Sequence, residues 1–222
     1  MTRFILTLLT CLLPIAAQAQ SVQMEALNPP AARLIRDTVR MAERTFSRMP
    51  QVRLTSRIAD LCGGDADTNK AMRYCSDQNV IYVAADLPDR VQGPEAAGYL
   101  LAHLYGHAVH VRHGQATRVS EALRAAPDRE SELRIQVAAQ VECIAGFLHV
   151  RATAYQGGFN GWFAGEPFTG THWGSTPLAA TPQVSIGRAS RERWFRIGQQ
   201  ADDLSACAQP DLDTQYLTRA LR

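Results

Sequence analysis

One stretch of the chain constrains the rest. From Ala96 to Val111 the sequence is dominated by apolar and small residues, has no internal proline, opens behind Pro94-Glu95 and stops before Gly114. Proline in the first turn and glycine past the last are helix start and stop signals. A helix that is apolar nearly all round is stable only where other elements wrap it. The fold therefore needs a core thick enough to enclose a whole helix, and the chain has the material: 222 residues, 46% of them hydrophobic and 20% charged. Such a composition excludes an intrinsically disordered chain. A formal net charge of +2 lacks the cationic excess of a protein that binds nucleic acid through a broad basic field.

The flanking elements follow from pattern. Behind Pro29-Pro30, the segment Ala31 to Ser47 places Leu34, Ile35, Val39, Met41, Ala42 and Phe46 at helical spacing. Gln51 to Thr55 alternates as a half-buried strand and Asn79 to Val83 is a β-branched second strand. Asp128 to Ala154 predicts a long helix with Ile135, Ala138, Val141, Ala145 and Leu148 on one stripe, and Ser190 predicts an N-cap for a last helix, Arg191 to Asp202. Between them, Gly157 to Gly187 is dense in glycine and proline and carries Phe159, Trp162, Phe163, Phe168 and Trp173, which reads as an ordered aromatic loop that makes a satellite core or lines a peptide groove. One helix, two strands and then mostly helices define an α+β class with a small sheet, and the length suits a single domain over residues 20–222.

Residues 1–19 read as a secretory signal peptide: Arg3 supplies the positive start, Phe4 to Ala17 the uncharged apolar region, and Ala17-Gln18-Ala19 the small-residue cleavage site. A lipoprotein signal at Cys11 is the rival reading, against which the apolar stretch continues past that cysteine. Cleavage places the protein in the periplasm or outside the cell, with no later segment long and apolar enough to span a bilayer. It leaves Cys62, Cys75, Cys143 and Cys207, an even set in an oxidising compartment. Four cysteines allow three pairings. The short closure between Cys62 and Cys75 suits a local bridge, with Cys143 and Cys207 then joined, while Cys143 as a free core thiol is the alternative.

The chemistry sits in His103-Leu104-Tyr105-Gly106-His107. Histidines at i and i+4 project from one helix face and can share a zinc ion, the geometry of the zinc-protease H-E-x-x-H motif. Leu104 occupies the position of the glutamate that serves as general base in that motif, and leucine cannot move a proton. His110 extends the face at i+7, although three ligands from one helix hardly close a tetrahedron.

At these residues the chain resembles the bacterial neutral zinc metallopeptidases, whose motif helix reads H-E-Y-G-H-H. The resemblance runs through Cys62-Gly63, Tyr74-Cys75, Asp77 and Ile81-Tyr82, then Ala102-His103 with Tyr105-Gly106-His107, Glu142-Cys143-Ile144-Ala145-Gly146, Arg193-Trp194-Phe195 with Gly198, and Cys207. It implies a zincin-like fold. It also implies a third zinc ligand and an outer-shell acid from an E-x-x-x-D segment of the following helix, and aligning Cys143 puts Ala138 at the ligand position and Glu142 at the acid position. Two functional acids are thus replaced by apolar residues, which implies a metallopeptidase-like protein that has lost hydrolysis and binds a peptide or an envelope protein. The alternative is an active zinc enzyme in which the longer Glu142 completes a His103, His107, Glu142 ligand set; a third reading is a structural envelope protein that keeps only the scaffold. By the same resemblance His172 is a candidate for contact with substrate or an oxyanion, against a plain surface-loop histidine. His113 and His149 carry no spacing argument, and Asp65 and Asp67 lack the periodic oxygen pattern of a calcium loop.

Overall fold

The structure is a computed structural model that describes residues 27–56, 58, 61–62, 71–158, 161–163, 185–212 and 214–219. The signal segment 1–19, Asp65, Asp67, Phe159, Phe168, His172 and Trp173 lie outside the described residues.

Helix α1 (Pro29–Thr45) begins where Asn28 Oδ1 accepts a hydrogen bond from the Ala31 amide at 3.0 Å, with proline in its first turn. Its buried face, Ala31, Ala32, Ile35, Thr38, Ala42 and Thr45, repeats at three and four residues. Strands β1 (Gln51–Thr55), β2 (Met72–Cys75) and β3 (Val80–Ala84) make a sheet of order β1-β3-β2. β3 is central, parallel to β1 and antiparallel to β2, so Val80 faces both Gln51 and Cys75. The sequence reading contained β1 and β3 but not β2. Met72-Arg73-Tyr74-Cys75 is only four residues long, too short for a pattern to mark it, and all four residues are buried, Arg73 donating to the Leu61 carbonyl oxygen at 2.6 Å.

After the single turn of α2 (Leu87–Arg90), helix α3 (Gly93–Arg112) runs through the centre, and every residue from Ala96 to His110 is buried. It packs against α1, the sheet through β2, and the long helix α5 (Glu130–Thr153). Between them lies α4 (Gln115–Ala125), which the sequence reading missed because Gly114 marks only an ending there. With φ at 79°, Gly114 in fact turns the chain from one helix directly into the next. Ala116, Val119 and Leu123 of α4 meet Leu133, Val137 and Val141 of α5 and Leu212 in a second apolar cluster. The expected α5 stripe fails at its first member: Ile135 is 46% exposed. Leu133 and Val137, on either side of it in sequence, face α4, which turns Ile135 to the opposite side of the helix.

Helix α6 (Arg188–Gln200) starts three residues earlier than expected, behind Gly187 at φ 74°, so Ser190 stands in its first turn and is not the cap. α6 lies on α5 at a separation set by two glycines. A Cβ on Gly146 would sit 1.9 Å from the Phe195 carbonyl oxygen, and one on Gly198 would sit 1.8 Å from that of Cys143. A 3-10 turn (Leu204–Cys207) and the short α7 (Gln215–Arg219) close the chain over the same core. Disulfides join Cys62 to Cys75 and Cys143 to Cys207 across 13 and 64 residues. In the chain-entropy account the longer closure contributes about 4 kcal/mol and the shorter about 3. Among the described residues no helix is long and apolar enough to cross a membrane.

The α5–α6 seam yields a test. Gly146→Ala is expected to destabilise the protein by about 1–3 kcal/mol through overpacking against backbone that cannot rotate aside. Urea unfolding of the oxidised protein measures it, and Gly161→Ala, where an added Cβ meets nothing within 4 Å, serves as the comparison whose cost is backbone strain alone.

Candidate functional site: a buried histidine pair backed by Glu142 and Arg191

Tyr99, His103 and His107 stand four residues apart on α3 and so line one face of it. The two histidines are 1% and 3% exposed, and their Nε2 atoms are 3.1 Å apart. Two nitrogens bound to one tetrahedral zinc at ~2.0–2.1 Å would be about 3.3 Å apart, so the pair converges as the spacing predicts.

Glu142 arrives from α5. The helices approach closely at Gly106, where a Cβ would lie 2.9 Å from the Val141 carbonyl oxygen, and this brings the next residue, Glu142, beside His103. Its Oε1 lies 3.0 Å from His103 Nδ1, the nitrogen on the side of the ring away from His107. The same Oε1 accepts a short hydrogen bond from Arg191 Nη1 of α6, and Oε2 accepts one from the Tyr99 hydroxyl at 3.0 Å. Three helices therefore meet on one carboxyl group that has no exposed surface, with Arg191 only 3% exposed. Burial holds the Glu142 carboxyl above its ordinary value, outweighing the downward pull of the Arg191 charge and hydrogen bond and of the Tyr99 hydroxyl. Removing one partner of such a pair leaves an uncompensated buried charge at a cost of about 3–5 kcal/mol.

The other motif positions are apolar and buried. Leu104 has no exposed surface and belongs to the main apolar cluster. Ala138, one turn before Glu142 on α5, is 8% exposed and belongs to neither packed cluster. Among the described residues the donor set thus fits two positions of a tetrahedral ion and does not supply the third protein ligand of a catalytic zinc site. Among the described residues no group of three or more His, Cys, Asp or Glu side chains is placed to hold one ion.

Tyr99 and Arg191 were absent from the sequence reading. Tyr99 had a faint signal, being four residues before His103 on the same face. Arg191 had none, because its partner is 49 residues away and the pairing exists only once α6 docks. The described aromatics of the loop, Trp162 and Phe163, pack on the Tyr99 ring with centroids 6.1 and 5.6 Å away, Trp162 within the main apolar cluster and Phe163 against it, so they extend the main core and do not form a separate satellite. Of the remaining histidines, His110 is wholly buried beside Tyr216, His113 stacks on Tyr216 at 5.5 Å, and His149 Nε2 lies 3.1 Å from the Glu95 carbonyl oxygen. Comparison of the chain with protein-family models, curated proteins and solved structures finds no match.

Burial lowers His110 and His149 from 6.5 to about 4, opposed weakly by the Gln140 side chain at His110 and by the Glu95 carbonyl at His149. Between those values the unfolded chain binds protons that the folded one does not, so this contribution to stability is complete above about pH 6.5 and shrinks as pH falls toward 4. Each group then accounts for a loss on the order of 3 kcal/mol. Urea midpoints measured across that range are expected to fall with acidification, and His110→Gln is expected to flatten the slope by about one proton.

Proposed function

We propose that the protein is an exported, zincin-like member of the neutral zinc metallopeptidase type that no longer hydrolyses peptides and acts by binding a peptide or an envelope protein. The observation that carries this reading is the commitment of Glu142. Both of its oxygens are engaged on the far side of His103, with Arg191 and Tyr99, so it stands where an outer-shell acid would stand and not where a third ligand or a base would. Leu104 and Ala138, the positions where the resemblance would have a base and a ligand, offer no replacement. Export is supported by the leader pattern of residues 1–19 and by two disulfides.

A metal held by His103 and His107 would fill its remaining positions from solvent or from a bound ligand, and it would supply Lewis acidity there. The chain's own contribution is orientation: Glu142 fixes the first ring and α3 the second. The reading in which His103, His107 and Glu142 form an active ligand set requires Glu142 to abandon Arg191 and Tyr99 inside a core without water to replace them.

Purified, oxidised protein is expected to show no peptide cleavage that a chelator abolishes, in an assay with a mixed peptide library and added zinc. Cleavage that is zinc-dependent and chelator-sensitive overturns the proposal. Ala138→Glu puts a carboxylate at the position where the resemblance has the third ligand, outside either packed cluster, and it is expected to raise zinc affinity above wild type, read by competition with a chromogenic chelator.

A further inference from the structure

We propose that β1 is a docking edge, to which an extended peptide with an apolar, acidic, apolar sequence adds as a further strand beside Val52, Arg53 and Leu54. β1 ends the sheet on the side away from β2, the strand that packs on α3, so this surface is separate from the histidine pair and the proposal does not depend on the loss of hydrolysis. The ladder fixes which backbone groups face outward. The Gln51 amide donates to the Asn79 carbonyl oxygen at 3.2 Å and the Ala85 amide to that of Thr55 at 2.9 Å, at the two ends of a parallel register running from Gln51↔Val80 to Thr55↔Ala84. Bonded residues alternate along a strand, so Gln51, Arg53 and Thr55 turn their N–H and C=O groups to β3, and Val52 and Leu54 turn theirs away from it. Among the described residues no strand pairs with β1 on that outer side. An open edge of this kind is the template for strand addition.

The side chains select the occupant. Val52 and Leu54 are half-buried and pack against the main apolar cluster, which is therefore not closed over at this edge. An antiparallel guest exchanges both backbone bonds with Val52 and both with Leu54, and its side chains opposite them lie beside theirs on the same face. Apolar side chains there extend the cluster. The middle residue of the guest stands opposite Arg53 on the other face. Arg53 is exposed, its Nη2 donates to Gln51 Oε1 at 3.1 Å, and no acid pairs with it among the described residues. In register Arg53 stands beside Tyr82 and Tyr82 beside Arg73, so the row that the guest would continue holds two arginines and no acid. An acidic middle residue complements that row. A second copy of the chain does not, because two β1 strands paired antiparallel about Arg53 set one guanidinium opposite the other.

The probe is the acetylated and amidated pentapeptide Thr-Val-Glu-Val-Thr, added to the oxidised, nitrogen-15-labelled protein while hydrogen exchange of each amide is followed by NMR. Without peptide, the Val52 and Leu54 amides are expected to exchange freely while those of Arg53 and Thr55 are protected by β3. With peptide, Val52 and Leu54 are expected to gain protection. The same peptide with lysine in place of glutamate is expected to bind about tenfold more weakly. Methylation of both valine nitrogens of the peptide is expected to abolish binding, and Arg53→Glu to reverse the preference between the glutamate and lysine peptides. If Arg53→Glu does not fold, the peptide series on the wild-type protein decides alone. Val52 and Leu54 amides already protected in the free protein overturn the proposal, since the edge is then covered by the chain itself. Protection in the free protein that rises with protein concentration identifies a second copy as the occupant and overturns it too. So do amides left unprotected at millimolar peptide, and equal binding of the two peptides. None of these readouts depends on zinc or on peptide cleavage, so a chelator-sensitive peptidase activity would remove the proposed function and leave the edge result standing.

Discussion

The structure depends on burying α3 entirely. A helix buried from Ala96 to His110 takes its polar groups out of bulk solvent, where each one that goes unpaired is costly. Tyr99, His103, His107 and His110 are the polar cost of that helix, and the neighbouring elements are arranged around them. α5 brings Glu142 to Tyr99 and His103 and Gln140 toward His110, α6 brings Arg191 to Glu142, and α7 brings Tyr216 against His110 and onto Gln140 Oε1. The Cys143–Cys207 bridge fastens α5 to the C-terminal segment one residue from Glu142, where a small shift of α5 would be felt by the carboxylate.

The parts of the fold that periodicity encodes were legible in the sequence. α1, α3 and α5 were readable because their boundaries are marked by proline and glycine and their apolar content is high, and β1 and β3 because they alternate or are β-branched. β2, α4 and the exposed side of Ile135 were not, and for a common reason. Each is decided by what packs against it: β2 is buried on both faces, α4 exists because Leu133 and Val137 need cover, and Ile135 is left outside because they take the inward side.

The candidate site divides the same way. The i, i+4 spacing was sufficient to bring His103 and His107 together, since one helix fixes both. Which nitrogen Glu142 would meet could not be read, because that depends on how closely α3 and α5 approach at Gly106 and Val141. Arg191 was further out of reach: a partner on a third helix, with no local pattern, is created by tertiary docking alone.

That division bears on which residues a site of this kind can lose. Under the proposed function Leu104 and Ala138 are the positions where acids gave way, and both are buried places that an apolar side chain suits: Leu104 inside the main cluster, Ala138 small and nearly buried on α5. Glu142 is different. Taking it away removes from the core the one carboxyl group that the Arg191 guanidinium, the Tyr99 hydroxyl and His103 Nδ1 all face. The penalty for removing one member of a buried charged network exceeds the gain from simplifying it, whereas replacing an acid that faces a cleft by an alanine or a leucine removes a desolvation cost. Hydrolytic groups can therefore disappear one at a time from such a site while its orienting network, bound into the core by three helices, persists for structural reasons alone.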